Sequence, residues 1–267
     1  MAHSQEELAA NALRFRGSLD AYDSCRPAPP DVFCRMVMQY ASIASPQLVV
    51  DLGCGTGLST RIWSARARQV IGIEPSAEML KVAQAKTSAP NTTFKNAFSH
   101  ETGLADGSVD IVTCCQSLHW MDPDRTIAEV ARILRPGGVW AVADYDLPLI
   151  QVELNAAVQA CLAKARALTA EHKLNREQKQ WPDQHPERIE GSGRFASVLV
   201  CGMQAIDTGN SDRLMGLVQS LGAVSAPLKH CGPAALGLDT LQKTAEQILD
   251  SQPLEWFWSY RVILAVK

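Results

Sequence analysis

The amino-acid sequence predicts an α/β fold, a mostly parallel sheet with helices on both faces, and three features of the chain point there. Short apolar runs alternate with amphipathic stretches between residues 47 and 143. Two of the runs, Leu48-Val49-Val50 and Ile111-Val112-Thr113-Cys114-Cys115, are almost continuously apolar, as strands covered on both sides must be. A glycine-rich turn, Gly53-Cys54-Gly55-Thr56-Gly57, joins the first run to a helical pattern.

In chain order, residues 1–30 read as a helical lead-in ending in the Pro-rich turn Cys25–Pro30. Asp31 is placed to cap a helix carrying Val32, Phe33, Met36, Val37 and Tyr40 at helical spacing. Strands are expected at Gln47–Leu52, Gln69–Ile73, Thr92–Lys95, Val109–Cys115 and Val139–Ala143, with helices at Leu58–Arg66, Ala77–Lys86 and Pro123–Leu134 between them. Beyond Pro148 the rhythm changes. Val152 to Leu168 follow helical spacing, Glu171–Gly193 is polar, and Phe195–Cys201 has the look of a strand. Helices Ser211–Leu221 and Leu238–Leu249 precede a closing strand, Arg261–Val266. Residues 1–267 are therefore expected to form one domain, with segments 147–193 and 208–250 as helical lid or substrate-binding insertions.

Composition excludes several classes. Apolar residues make up 46% and charged residues 20% of the 267, as in an ordinary globular chain. The net charge of -3 offers no basic excess for a nucleic-acid backbone. No run approaches the about 18 apolar residues of a membrane span, and the start lacks a signal peptide's basic flank and apolar core. The eight cysteines form no C-x-x-C pair, so neither a zinc site nor a disulfide framework is expected. A cytoplasmic protein is expected, a monomer or homodimer without metal, nucleic acid or membrane partner.

The glycine turn carries the chemistry. Glycines allow a tight turn and a close approach of ligand to backbone. A dinucleotide fingerprint needs a third glycine where Leu58 stands, which disfavours a nicotinamide oxidoreductase. Glu74 ends the next strand, where a carboxylate can accept hydrogen bonds from both ribose hydroxyls of an adenosine. Adenosine on an amino acid fits these residues better than a dinucleotide does.

At this point the sequence resembles the class I S-adenosylmethionine (SAM)-dependent methyltransferases. Asp51-Leu52-Gly53-Cys54-Gly55-Thr56-Gly57 is similar to their glycine-rich motif and Val70–Met79 to their ribose-binding segment. Gly103–Asp110 and Leu134–Val139 match further segments. Within the class the chain resembles small-molecule enzymes related to trans-aconitate methyltransferase, through Tyr22-Asp23-x-x-Arg26-Pro27 and Gln116-Ser117-Leu118-His119-Trp120. Those relatives carry Ala-Glu where this chain has Ser99-His100. The resemblance implies a Rossmann-like seven-stranded sheet, SAM as cofactor and a small-molecule acceptor methylated at a carboxylate or hydroxyl oxygen. Donor contacts are then expected from Tyr22, Arg26, Asp51, Gly53, Cys54, Gly55, Glu74, Pro75, Met79, Ser99, His100, Gln116 and Trp120.

Methyl transfer from a sulfonium is an in-line displacement, so alignment in a dry pocket dominates catalysis. Tyr22 and Trp120 offer aromatic faces to a sulfonium, and Arg26 could pair with the donor's carboxylate or cap the sheet. His119, at a strand end, could take a proton from a hydroxyl or amine acceptor, or hold a structural hydrogen bond. A carboxylate acceptor needs no base. Trp120, Tyr145, Trp181 and Arg188 are the candidate acceptor contacts. N- or C-methylation with His119 as base, and a non-catalytic SAM-binding role, stand as the alternatives.

Overall fold

The computed structural model describes residues 23–174, 184–250, 252 and 254–267. Helix α1 (Asp31–Tyr40) leads into β1 (Leu48–Leu52), the short α2 (Leu58–Arg61), β2 (Gln69–Ile73), α3 (Ala77–Ala85) and β3 (Thr92–Lys95). Next come β4 (Val109–Cys115), a 3-10 turn at Leu118–Trp120, α4 (Pro123–Ile133) and β5 (Leu134–Tyr145). The second half runs α5 (Val152–Glu171), α6 (His185–Gly191), β6 (Ser197–Gly209) and α7 (Ser211–Gln219). It ends with α8 (Gly222–Cys231), α9 (Pro233–Leu236), α10 (Leu238–Leu249) and β7 (Leu254–Val266).

The seven strands form one sheet in the order β3-β2-β1-β4-β5-β7-β6, with β7 antiparallel to both of its neighbours. The predicted Rossmann-like, mostly parallel sheet is the observed one. Strand order reverses between β1 and β4, and the crevice outside their carboxyl ends is where open α/β sheets bind ligands. On one face Phe33, Trp63 and Val70 join a core that includes Leu154, Leu217 and Leu241 from α5, α7 and α10. On the other, Val50, Ile73 and Val112 pack with Ile127 and Val130 of α4 and with Trp140. Burying each such side chain contributes about 1.5–3 kcal/mol. Among the described residues no helix is long and apolar enough to cross a membrane.

The second half departs from expectation. β6 and β7 pair residue by residue from Ser197↔Val266 to Gly209↔Leu254, well beyond the expected Cys201 and Arg261. Trp256, Trp258 and Tyr260 alternate inward along β7 and are buried, a period-two pattern that extends the strand. The Trp256 ring lies where a Cβ on Gly209 would sit, 2.5 Å from that position, and Trp258 Nε1 donates to Asp207 across the pair at 2.7 Å. α6 falls in a stretch read as polar loop, because His185-Pro186 starts a helix that buries Ile189 against α4. α8 forms despite Gly222 and Pro227, with Val224 and Pro227 buried. Asp31 does not cap α1. Pro30 holds that place, and Asp31 pairs with Arg35 at 2.9 Å from inside the first turn.

One buried acid fastens the loop after β3 to the sheet's helical cover. Glu129 of α4 accepts from Thr102 N at 2.9 Å and from both ends of the Arg132 guanidinium at 2.8 Å. Burial pushes its carboxyl up, but the Arg132 and Thr102 hydrogen bonds outweigh that and hold it down at about 2, against an ordinary 4.5. A folded-state value below the unfolded one adds stability above pH about 4.5 that is lost as pH falls toward 2. Glu129→Gln should therefore cost about 1.5–3 kcal/mol at pH 7. In urea titrations the gap to wild type should narrow at pH 3; a gap independent of pH would contradict this account.

Candidate functional site

The glycine turn leaves β1 at the sheet's switch point with its backbone bent into the left-handed region at Gly53, Gly55 and Gly57. Gly53 N and Cys54 N donate to Ile73 O of β2 at 2.8 and 3.1 Å, which sets the turn's direction. A side chain at Gly53 would strike Ser117 and Met121, since its Cβ would sit 2.6 Å from each. Only glycine meets both the φ of +65° and that close approach.

Glu74 follows β2 and is buried at the rim of the cleft. Its carboxylate accepts from Gly55 N at 3.2 Å and Ser76 N at 2.9 Å, so it is already aimed across the turn. Ser76 in turn caps α3, accepting from Met79 N. Beyond this rim, Phe98 and His100 stack at 5.5 Å and 19°. Ser99 between them shares a hydrogen bond with Thr126 of α4 at 2.8 Å. Burial, then the charge of Arg125, pushes the His100 imidazole below its ordinary value and keeps it neutral at pH 7.

One cavity joins these pieces. Its donor-loop half is walled by Gly53, Cys54, Gly55, Glu74, Pro75 and Met79, and continues over Ser99 and His100. Gln116, Trp120, Tyr145 and Arg26 line the rest. Thus eleven of the expected donor contacts and the acceptor candidate Tyr145 share one cavity wall. Gln116 stands at the end of β4 with φ +54°, rare for a residue with a side chain, its Nε2 donating to Tyr145 O at 2.8 Å. Arg26 donates to Tyr145 Oη at 3.1 Å and to Ser220 Oγ and O at 3.0 Å each, fixing the guanidinium at the wall.

Three expected site residues stand elsewhere. Asp51 lies beneath the turn with no exposed surface, accepting from Ser59 Oγ and Thr60 Oγ1 at 2.7 Å and Thr113 Oγ1 at 2.8 Å. Burial raises its pKa and the three hydroxyls oppose the rise. It braces the turn and does not line the cavity. His119 is also off the wall, its ring against Trp120 at 5.1 Å and its Nδ1 3.7 Å from Asp144. Arg188 sits on α6, 3.7 Å from Asp124, away from the cavity lining. Tyr22 and Trp181 lie outside the described residues.

Sequence reasoning missed Asp23 and Tyr260. Asp23 accepts from Thr56 Oγ1 at 2.7 Å and Arg61 at 2.9 Å and pairs with Lys86 at 3.1 Å, which clips the incoming chain onto the glycine turn. Its place in the Tyr22-Asp23 motif was the available signal. Tyr260 lines the cavity from β7 with its hydroxyl buried and unpaired among the described residues. Its inward period on β7 was the signal, masked by the expectation of a later strand start.

Residues 50–142 match the methyltransferase domain family. An uncharacterized methyltransferase of Mycobacterium tuberculosis is 38% identical over 141 residues, 51% of this chain and 55% of that protein. The malonyl-[acyl-carrier protein] O-methyltransferase of Pectobacterium atrosepticum is 38% identical over 96 residues, 36% of this chain and 37% of that one. This chain spans about half the length of the curated relatives it matches first. A solved structure assigned as a type II methyltransferase from Anaeromyxobacter dehalogenans has the same fold, with a TM-score of 0.67 at 23% identity over 90% of this chain and 97% of its own. Residues 50–142 are thus similar to a methyltransferase domain, and the solved structure shares the fold.

Asp51→Ala should lower stability by about 2–4 kcal/mol, because three buried hydroxyls lose their shared acceptor. A melting temperature unchanged within a degree would show that Asp51 braces nothing.

Proposed function

We propose that the chain is a SAM-dependent methyltransferase that methylates a small molecule at a carboxylate or hydroxyl oxygen. The observation that carries it is Glu74, held across the glycine turn by Gly55 N and Ser76 N with its carboxylate at the cavity rim. That is the reach a ribose diol needs. The ribose on Glu74 directs the adenine toward Phe98, Ser99 and His100, where a neutral imidazole meets its edge. The amino-acid end runs along Gly53 and Gly55, and the sulfonium points toward Trp120 and Tyr145. Here the aromatic faces contribute about 0.5–2 kcal/mol of attraction to the cation.

The acceptor side supports an oxygen nucleophile. Arg26, Tyr145 and Tyr260 line the same cavity, and a fixed cation beside two phenols suits a carboxylate better than an ammonium-forming amine. Among the described residues Tyr260 Oη is buried without a hydrogen-bond partner, beside Tyr145 at the cavity wall. A carboxylate is already a nucleophile, so His119, turned toward Asp144, is left as an anchor of Trp120. The O-methyltransferase among the relatives agrees with this choice. Segment 208–250 reaches the acceptor side through Ser220 on Arg26, and the expectation of a lid in 147–193 and 208–250 stays part of this proposal. The likeness to the trans-aconitate branch stays part of this proposal.

The donor and acceptor assignments are tested separately. SAM at 100 times its dissociation constant should stabilise the protein by about 2.7 kcal/mol, and Glu74→Ala should weaken SAM at least tenfold in calorimetry. Absence of any SAM-dependent shift in melting would overturn the donor assignment. A screen of small carboxylic acids and alcohols for S-adenosylhomocysteine release then finds the acceptor. With it, Tyr260→Phe should raise KM about tenfold while leaving the melting temperature equal or higher, since a buried unpaired hydroxyl is removed. His119→Gln should keep kcat within a few-fold; a steep loss with an altered pH profile would favour base-assisted N- or C-methylation instead.

A further inference from the structure

A second cluster of ligating groups lies outside the cavity, where the C-terminal ends of two packed helices meet. His172 follows the last residue of α5, and His230 and Cys231 close α8. One ring nitrogen of each histidine and the Cys231 thiol lie within 4.8 Å of one another. The two imidazole rings are tilted against each other at a centroid distance of 4.8 Å. Both histidines are exposed and Cys231 is half-buried, so an ion reaches them from solvent.

We propose that His172, His230 and Cys231 form a zinc site that ties α5 to α8. The donor set decides the metal. Two imidazoles and one thiolate suit Zn2+ and other late transition ions, whereas Mg2+ and Ca2+ need oxygen ligands that the cluster lacks. Tetrahedral Zn2+ with nitrogen at 2.0–2.1 Å and sulfur at 2.3 Å needs its ligand atoms about 3.3–3.6 Å apart. Rotation of exposed side chains closes the remaining distance of roughly 1 Å. Both helices point their negative ends at this place, which favours a cation there. Three protein ligands leave a fourth position for water. On binding, the Cys231 thiol gives its proton to solvent and the sulfur bonds the metal, with no change of oxidation state.

The site joins residues almost sixty positions apart, so no local ligand spacing announces it. It also revises the expectation of a metal-free protein, which rested on cysteine spacing alone.

The test uses the full chain, stripped with chelator and free of any polyhistidine tag. Wild type should bind one Zn2+ by calorimetry and melt at higher temperature with it. With Co2+ as probe it should show a thiolate charge-transfer band and the intense visible bands of tetrahedral cobalt. Cys231→Ser should lose the charge-transfer band, and each of Cys231→Ser, His230→Gln and His172→Gln should weaken Zn2+ by more than about tenfold. Circular dichroism of the chelated variants checks that they are folded. Equal Zn2+ affinity in wild type and Cys231→Ser, or a cobalt spectrum without the thiolate band, would overturn the proposal.

Discussion

A fully buried carboxylate organises the centre of this molecule. Asp51 ends the apolar stretch of β1, opposite Thr113 of β4 in the parallel register. Burial drives its pKa up, and an uncompensated charge there would cost several kcal/mol. Ser59 and Thr60 at the start of α2 and Thr113 on β4 meet that demand together. Satisfying one buried group thus fixes three elements. β1 and β4 are held at the place where the strand order reverses, and α2 is drawn back under the turn. The glycines can then stay bare, since the turn's position is set from below and no side chain has to anchor it from above.

The cavity's electrostatics follow from this arrangement. One acid is hidden under the turn and another, Glu74, is presented at the rim by two backbone amides. Cys54, in the turn itself, stays a neutral thiol, because burial and then the neighbouring Asp51 and Glu74 charges push its pKa well up. Among the described residues the one side-chain cation on the wall, Arg26, is turned onto Ser220 and Tyr145. A ligand carrying a ribose diol and a cationic centre therefore meets a negative rim and aromatic faces, while the Arg26 guanidinium beside Tyr145 is tied to oxygen acceptors. That is a graded field, made before any ligand arrives.

The first half of the fold was legible because each strand there is local and self-announcing. Leu48–Leu52 and Val109–Cys115 carry continuous apolar runs, and the turn after β1 has residues few other structures require. Glu74, Ser99, His100, Gln116 and Trp120 were legible as places on that scaffold, and the cavity gathers them. The failures share a different cause. Asp51 belongs to the same motif, yet whether it faces ligand or core depends on where Ser59, Thr60 and Thr113 point. The early starts of β7 and late end of β6 depend on mutual pairing, with Trp256, Trp258 and Gly209 fitted across it. Tyr260 becomes a site residue only through that pairing. Arg188 and His119 were judged by chain position, and the neighbours that claimed them, Asp124 and Asp144, could not be foreseen.

The segment before α1 is what couples the two halves. Asp23 is bound to Thr56, Arg61 and Lys86 of the donor-loop side, and burial of its carboxyl is outweighed by those partners so that its pKa falls. Three residues later Arg26 is bound to Ser220 after α7 and Tyr145 at the end of β5. A short stretch of backbone therefore spans from the glycine turn to the helical layer, and Pro27 and Pro29, just beyond Arg26, line the cavity. Proline fixes φ and narrows the unfolded alternatives, so the chain leaving Arg26 toward α1 is stiff at low entropic cost. Alignment of donor and acceptor to within fractions of an ångström is the main source of rate in such a displacement. A strap anchored at Asp23 and at Arg26 helps to hold that alignment, because it ties the glycine turn to the wall at Tyr145 and Ser220.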